Sequence, residues 1–382
     1  MFCQLEILRY CFPPSVRRIL EELPESLHET YERILREIKK HNQGHAHRLL
    51  QCLVVAVRPL RVEELAEVVA FDFNTEGMPK LNPGWRWEDQ EEAVMSACSS
   101  LVMIVKDGDS RIVQFSHFSV KEFLIAHRLA EPMRDVSRYH IRLEAAHTIL
   151  AQACLGVLLR FDDRVDRDTI KSFPLAQYAA QYWPTHGRVG NVSSHIKDGM
   201  ERLFDADKPH FATWLWIYSE RGDSMSTMRP GAPEAVPLYH ASRLGFRDLV
   251  ERLIVEHPEH VNARGGYEVT PTHAAASAGH ANILPLLTEH GADINVGGSS
   301  NITPLSRAAY KGHVECARML LECGAVIDAP STNGMTPLHW TVDMGRTQVV
   351  RLLLEHGADV NARDIHGDTP CCRLGRRIIT HL

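Results

Sequence analysis

The sequence contains no hydrophobic run long enough to span a membrane and no export signal. Its longest apolar stretches are as short as CLVVAV and CLGVLL, whereas a membrane-spanning helix needs about 20 apolar residues. The opening residues, MFCQLEILRY, include Glu6 and lack the small-residue cleavage site of a signal peptide. We therefore expect no membrane association and a location in the cytoplasm, with the nucleus as the alternative.

Motifs for catalysis, nucleotide binding and disulfide formation are also missing. The nine cysteines are odd in number and include no C-x-x-C pair, a pattern typical of free thiols in a reducing compartment. No G-x-S-x-G elbow and no P-loop ending in Gly-Lys-Ser or Gly-Lys-Thr occurs. The net charge of −6 argues against general nucleic-acid binding. We predict a protein that is not an enzyme, with no cofactor, metal site, small-molecule substrate or nucleic-acid partner.

The C-terminal part of the chain repeats every 33 residues. Thr270, Thr303, Thr336 and Thr369 keep this spacing, and the first three of them are followed by helical segments. Thr caps a helix well, and the Pro that follows each Thr fits the first helical position, where no N–H is needed. A weaker copy, VPLYHASRLGFRDLVERLIVEHPEHVNARGGYE, precedes them and is one residue longer in its second half. Because one such unit cannot bury its own apolar face, the copies must stack.

Residue types within each copy predict two antiparallel helices. Small side chains in the first helix allow close packing, and Gly312 and Gly345 supply the left-handed residue between the helices. His339 is expected to hydrogen-bond Thr336 and nearby backbone, and Pro285 falls in the first turn of its helix. The second helices carry an apolar stripe of leucine pairs. These pairs are Leu286–Leu287, Leu320–Leu321 and Leu353–Leu354.

The period and the stretch MTPLHWT resemble the ankyrin family, whose repeats carry the signature T-P-L-H-x-A. The resemblance implies a protein partner bound through hairpin tips and exposed first-helix positions. Carried over by position, the hairpin tips are Tyr267, Val269, Ser300, Ile302, Asn333, Met335, His366 and Asp368. The first-helix positions are His240, Arg243, Arg307, Tyr310, Lys311, Trp340, Asp343 and Met344.

Among these positions, Tyr310, Trp340 and Met344 are large apolar side chains of the kind that anchor interfaces. Trp340 has the alternative of packing on the next repeat. Basic Arg307 and Lys311 are mixed with acidic Asp343, so the sequence favours a folded protein or peptide over a strongly charged ligand.

Upstream of residue 236 the sequence predicts helices and one β-hairpin. LPESLHETYERILREIKK reads as a helix capped by Ser26, and RLLQCLVVAV and RPLRVEELAEVVAFD predict two more. An acidic helix, EDQEEAVMSACSS, precedes a hairpin formed by LVMIV and RIVQF around KDGDS. SHFSVKEFLIAHRLA predicts a helix capped near Ser116 or Ser119. The order helix, helix, hairpin, helix is that of a winged-helix module, and residues 132–220 add further helices.

This upstream half resembles the C-terminal side of fungal NACHT-type (STAND, NOD-like) signalling NTPases, on the stretches RPLRVEELAEVVAFD, FSHFSVKEFL and PLAQYAAQYWPTHG. The resemblance implies a winged helix of the kind also seen in GPI inositol-deacylase, and a fold that is mainly α, ending in an ankyrin α-solenoid. The missing P-loop leaves nucleotide hydrolysis without a site. The predicted segments are a helical segment following a missing NACHT domain at 1–58, a winged-helix-like domain at 59–131, a helical connector at 132–220, a linker at 221–235, four ankyrin repeats at 236–368 and an aborted fifth repeat at 369–382.

Four histidines could be mistaken for functional groups. His41, His45 and His47 lie in HNQGHAHR, which reads as a polar loop without a fourth metal ligand. His117 in SHFSVKEF is interpreted as a structural histidine that closes the hairpin. Neither group is expected to bind metal or act as a base.

The winged-helix module is not expected to bind DNA. Its acidic helix opens with Glu88, Asp89, Glu91 and Glu92, which phosphates would repel.

At the end of the chain, DTPCCRLG starts a fifth repeat and does not complete it. Cys371 and Cys372 stand where Leu and His are expected, and Leu374 replaces the helical Ala. We interpret both ends as truncated relative to a longer array, with a short cap as the alternative. A redox role for the adjacent cysteines is disfavoured because neighbouring cysteines rarely close a relaxed disulfide.

Two functional hypotheses follow from the sequence and its resemblance. The first is a non-catalytic protein–protein interaction module, the regulatory or sensing arm of a signalling protein. The second is that the chain is the C-terminal part of a nucleotide-driven STAND switch for fungal self/non-self recognition or immunity-like signalling.

Overall fold

The computed structural model describes residues 27–75, 77–130, 135–162, 165–219, 236–265 and 269–373, without the side chain of Ser99. The described residues form two compact units. The first comprises 27–203 and 208–219, and the second comprises 204–207 and 236–373. None of the described helices is long and apolar enough to cross a membrane.

Five helices, a three-stranded sheet and a separate two-stranded sheet form the N-terminal part of the first unit. The helices are α1 (Leu27–Glu37), α2 (Gln43–Val55), α3 (Val62–Val69), α4 (Gln90–Cys98) and α5 (Phe118–Ile125). The strands are β1 (Leu60–Arg61), β2 (Phe71–Asp72), β3 (Lys80–Leu81), β4 (Val102–Asp107) and β5 (Ser110–Phe115). The predicted hairpin is confirmed: β4 and β5 pair antiparallel, and β1 joins the far edge of β5 with Leu60 opposite Val113. Leu49, Leu50 and Leu65 fill the core between the helices and this sheet.

Local contacts correct two of the sequence predictions in this region. The cap of α5 is His117, not Ser116 or Ser119, because its imidazole accepts a hydrogen bond from the Ser119 N–H at 3.3 Å. The stretch with three histidines is not a loop, since His45 and His47 lie in α2 and His41 lies in a 3₁₀ turn before it. The predicted cap Ser26 lies outside the described residues.

The remainder of the first unit is a helical layer. Its helices are α6 (Leu143–Leu158), α7 (Arg167–Lys171), α8 (Ala176–Gly187), α9 (Val192–His195), α10 (Lys197–Leu203) and α11 (His210–Ser219). α6 packs against both α8 and α2, so this layer shares a core with the N-terminal part of the unit. The rings of Trp183 and Trp214 meet edge to face at 6.0 Å in its centre.

Pro184 interrupts the hydrogen bonding of α8 in that centre. A proline has no N–H, so the carbonyl of Ala180 loses its ordinary partner four residues later. The indole N–H of Trp214 on α11 donates to that carbonyl at 3.0 Å. The proline is therefore accommodated by a side chain from another helix.

Two carboxylates on α3 are buried in the first unit. Glu64 accepts both guanidinium hydrogen bonds of Arg58, at 2.7 and 2.8 Å. Glu67 pairs with Arg86 and accepts from the Leu175 N–H at 2.8 Å. These contacts connect α3 to segments on either side of it in the sequence.

The second unit contains four pairs of antiparallel helices, one for each predicted repeat. They are α12 (Pro237–Leu244) with α13 (Arg247–Glu256), α14 (Pro271–Ala278) with α15 (Leu284–Glu289), α16 (Pro304–Lys311) with α17 (Val314–Glu322), and α18 (Pro337–Asp343) with α19 (Thr347–Glu355). The first helices stack in the order α12, α14, α16, α18. The predicted mainly helical fold, with a small β-hairpin and a stack of helix pairs, is thus confirmed.

The residue after the first helix of the second and third repeats must be glycine, because the backbone there is left-handed and a side chain would collide with the next repeat. Gly279 has a φ of 86° and Gly312 has a φ of 82°, in the left-handed region. A β-carbon on Gly279 would lie 3.0 Å from the ring of His313, which belongs to the next repeat. His313 in turn hydrogen-bonds the Ser277 carbonyl at 3.1 Å, so this turn links two repeats. Gly345 also has a positive φ, as predicted.

The predicted Thr–His contact is confirmed, and it extends further than expected. The Nδ1 of His339 accepts from the Thr336 N–H at 3.2 Å, while its Nε2 donates to the Asp368 carbonyl at 3.1 Å. His273 makes the equivalent contact with the Ile302 carbonyl at 2.9 Å. Burial lowers the pKa of His273 to about 4, so this residue stays neutral and keeps an acceptor for the threonine.

The leucine stripe is narrower than predicted. Leu286 and Leu287 are both buried, whereas in the fourth repeat Leu353 is buried and Leu354 is 44% exposed. Adjacent helical residues point about 100° apart, so the second member of a pair can leave the core face, as Leu354 does. Pro285 lies in the first turn of α15, as expected.

Candidate functional site

The first helices of three repeats line a pocket of about 360 Å³ in the second unit. α14 contributes small side chains, including Ala274, Ser277 and Ala278, and these leave the space. The larger walls come from the neighbouring helices. They include Tyr239 and Arg243 of α12 and Arg307 and Lys311 of α16.

The pocket is positively charged. Arg243 and Lys311 are exposed and Arg307 is half-buried. Among the described residues, none of these three cations pairs with a carboxylate, and no carboxylate lines the pocket. Asp343, which lies one repeat further along, is engaged with Arg373 at 3.8 Å. The surface therefore carries a local excess of positive charge that the mixed composition of the sequence does not reveal.

An aromatic pair borders this surface. Tyr310 precedes Lys311 at the end of α16, and the Lys311 ammonium lies 5.7 Å from the Tyr310 ring centre. The Trp340 ring on α18 meets Tyr310 edge to face, with the ring centres 5.9 Å apart. Both rings are half-buried, as is Met344. Trp340 thus packs on the preceding repeat through Tyr310.

Most of the predicted binding positions have exposed or half-buried side chains. The fully exposed ones are Arg243, Ser300, Lys311, Asn333 and His366. The half-buried ones are His240, Val269, Ile302, Arg307, Tyr310, Trp340, Asp343 and Met344. Tyr267 lies outside the described residues.

Two positions are wrong as exposed hairpin tips. Met335 is 4% exposed and Asp368 is 8% exposed. The backbone of Asp368 is held on both sides, because its carbonyl accepts from His339 and its N–H donates to Asp364 at 3.0 Å. Neither side chain is available to a partner.

Sequence reasoning missed the contribution of Tyr239 and Ser277 to the pocket. The repeat register contains the signal: Ser277 occupies in its repeat the position that Arg243 and Tyr310 occupy in theirs. A small residue between two large ones at one repeat position predicts a depression. The depression is not evident when the charged residues are considered together without their order along the stack of repeats.

The other candidate groups do not form joint sites. The His45 ring packs against Trp87 and the His47 ring against Tyr139, at 5.9 and 6.2 Å between ring centres, so the two histidines face different neighbours. His117 is exposed and serves as a helix cap. Cys371 and Cys372 are exposed and free.

The start of α4 is strongly acidic. A broad, open depression of about 820 Å³ is bordered there by six carboxylates and two arginines. The carboxylates belong to Glu63, Glu88, Asp89, Glu91, Glu92 and Asp109. This surface would repel a phosphate backbone.

Comparison with known proteins identifies domains in both units. Residues 238–331 and 296–364 match ankyrin repeats, in three copies, and residues 31–133 match the winged helix domain of GPI inositol-deacylase. The chain thus contains ankyrin repeats and a winged-helix domain of that type. It is similar to azaphilone pigments biosynthesis cluster protein L of Monascus ruber, with 32% identity over 290 residues, covering 70% of this chain and 59% of the relative. The chain therefore spans about three fifths of that relative's length.

Proposed function

We propose that this chain is a non-catalytic interaction module whose ankyrin repeats bind a protein partner through an acidic segment. The observation that supports this most is the pocket between α12, α14 and α16, which three cations surround without a lining carboxylate among the described residues. Ankyrin repeats are interaction modules in general, and the pocket charge adds the chemistry of the partner.

The side chains around the pocket suit carboxylates. Arg243 and Arg307 each offer a planar guanidinium that can hold a carboxylate through two parallel hydrogen bonds. Lys311 adds a mobile ammonium at the exposed rim. Because the cations are solvent-accessible, their attraction is expected to accelerate association and to weaken as salt is added.

Reversing two of the charges should abolish recognition of acidic peptides. We expect the Arg307→Glu/Lys311→Glu variant of the full chain to bind a fluorescein-labelled Glu- and Asp-rich peptide at least about tenfold more weakly, a loss of ~1.4 kcal/mol or more. Fluorescence anisotropy at low and physiological salt measures both the affinity and its salt dependence.

Arg318→Glu is the matched control for this experiment. Arg318 lies on α17, is 44% exposed and is paired with Glu315 at 3.6 Å, so a single charge reversal of the same kind, half that of the double variant, occurs away from the pocket. Equal binding by the double variant and the parent protein would contradict the proposal. So would equal binding of the parent protein to a Lys- and Arg-rich peptide.

The aromatic pair should bind apolar residues next to the acidic segment. We expect the acidic peptide to bind more tightly when a Leu-Phe pair extends it, and we expect this gain to disappear in Tyr310→Ala/Trp340→Ala. Buried aromatic anchors of this kind contribute about 2 kcal/mol or more. Anisotropy with both peptides and both proteins completes a thermodynamic cycle.

Leu354→Ala serves as the control, since Leu354 is exposed on a second helix. Circular dichroism of the Tyr310→Ala/Trp340→Ala variant should retain the parent spectrum, because both rings are only half-buried. If the gain from the Leu-Phe pair persists in that variant, the apolar contact lies elsewhere on the array.

We further propose that the two units act as the sensing arm of a signalling protein. The winged-helix domain precedes the repeats in the chain, and the Monascus relative is longer than this sequence. A nucleotide-driven switch would require a P-loop, which the present sequence does not contain. The test is to measure nucleotide hydrolysis by the product of a longer transcript and by this chain. Hydrolysis by the longer product only would favour the switch.

A further inference from the structure

The first repeat differs from the others in the turn after its second helix. The second and fourth repeats have the sequence His-Gly-Ala-Asp there, at 290–293 and 356–359, whereas the first has His-Pro-Glu-His at 257–260. The glycines of the other repeats adopt a left-handed φ between 83° and 92°, which proline cannot adopt. The first repeat instead turns through a 3₁₀ helix, Pro258–His260.

This change alters what the repeated histidine contacts. The Nδ1 of His290 hydrogen-bonds the Leu286 carbonyl of its own helix at 2.8 Å, and His356 does the same in the fourth repeat. The Nδ1 of His257 lies instead 3.2 Å from Oε1 of Glu259. The His257 ring stacks on the ring of His260, with the centres 4.9 Å apart. His257 caps its helix through its backbone N–H alone, and its imidazole lies beside two other potential ligands.

The three side chains bring one donor atom each to a common point. The Glu259 Oε1 is 3.2 Å from His257 Nδ1 and 3.8 Å from His260 Nε2, and the donors of all three residues lie within 4.8 Å of one another. In a tetrahedral zinc site with bonds of about 2.0–2.2 Å, neighbouring ligand atoms are ~3.3 Å apart. Glu259 is 65% exposed, and the two histidines are 29% and 22% exposed. The donors are therefore near the required spacing, and rotations of the exposed carboxylate and of the two part-exposed imidazoles would complete the coordination shell.

We propose that His257, Glu259 and His260 bind a divalent transition-metal ion, with Zn²⁺ as the best match. Two imidazole nitrogens and one carboxylate oxygen are ligands that zinc takes in proteins, while Ca²⁺ and Mg²⁺ require oxygen ligands. Three protein ligands leave the fourth position to water or to a side chain of a second protein. The site is separate from the cationic pocket and does not depend on its function.

Zinc titration of the full chain tests this assignment. The protein is stripped with EDTA, and the Cys371→Ser/Cys372→Ser background removes two exposed thiols that would compete for zinc. Isothermal titration calorimetry should show one high-affinity equivalent, and Co²⁺ should give visible absorption of tetrahedral intensity. Pro258→Gly/Glu259→Ala/His260→Asp, which restores the sequence of the second repeat, should lose this equivalent.

Two further variants make the test specific. Glu259→Gln changes an exposed side chain, so it should retain the fold while binding zinc at least about tenfold more weakly. His356→Gln alters the corresponding histidine of the fourth repeat and should still bind one equivalent of zinc. Full binding by both Glu259→Gln and the restored variant would overturn the proposal, as would a parent chain that binds Zn²⁺ only at millimolar concentration. In those cases the turn is held by His–Glu hydrogen bonds alone.

Discussion

Replacing Arg58 by Met should destabilise the first unit by about 3 kcal/mol or more at pH 7, as expected when one partner of a buried ion pair is removed. The Glu64 side chain is fully buried, and Arg58 supplies two of its hydrogen bonds. Burial alone would raise the pKa of Glu64, but the hydrogen bonds and charge of Arg58 hold that pKa below its ordinary value. Methionine keeps much of the stem and removes the charge. Urea unfolding followed by tryptophan fluorescence measures the loss, because five of the six tryptophans lie in the first unit.

Two companion variants separate charge from packing. Arg58→Met/Glu64→Gln should regain part of the lost stability, since a buried amide needs no counter-charge. Arg111→Met removes the partner of Glu91 at the exposed surface and should leave the unfolding midpoint unchanged. If Arg58→Met and Arg111→Met lose the same small amount of stability, the Arg58–Glu64 pair contributes no more than an exposed ion pair, and the prediction is wrong.

The first unit should also lose several kcal/mol of stability as the pH falls from 7 toward 4, because His186 cannot accept a second proton in the folded protein. His186 is fully buried and lies between the Tyr178 hydroxyl at 2.9 Å and His147 Nδ1 at 2.8 Å. Burial, reinforced by His147, lowers the pKa of His186 to about 3. An unfolded histidine titrates near pH 6.5, so between these values the unfolded state binds a proton that the native state excludes.

The pH dependence of the free energy of unfolding identifies this residue. Each proton difference contributes a slope of about 1.4 kcal/mol per pH unit, so His186→Gln should reduce the slope between pH 6 and 5 by roughly that amount. The exposed His41, replaced by Gln, is the control within the same unit. An unchanged slope in His186→Gln would mean that other groups cause the acid sensitivity.

Repeats and turns made much of the fold predictable from sequence. The Thr-Pro and Gly spacing fixes helix starts and ends through local chemistry, so four helix pairs could be assigned without knowledge of their neighbours. The turn KDGDS likewise predicts the hairpin of β4 and β5, where Gly108 has a positive φ.

Features that depend on distant partners could not be read in the same way. As charged residues of a short helix, Glu64 and Glu67 would be expected in solvent. Both are buried instead, where Arg58, Arg86 and the Leu175 N–H reach them. The cationic pocket depends on the order of side chains across three helices. Met335 was misassigned because its position in the repeat does not say which way its side chain points.

Because Trp214 donates to the carbonyl that Pro184 leaves without a partner, the order in which these two residues can be substituted matters. Pro184→Ala can occur first, because the Ala180 carbonyl has two lone pairs and can accept from both the restored N–H and the Trp214 indole. Trp214→Phe occurring first would leave that buried carbonyl without either donor, at a cost of about 1–3 kcal/mol. Homologous chains should therefore contain the tryptophan without the proline, but not the proline without a donor at the tryptophan position. Pro184 and Trp214, thirty positions apart, are thus coupled, and neutral substitution can replace the proline first but not the tryptophan first.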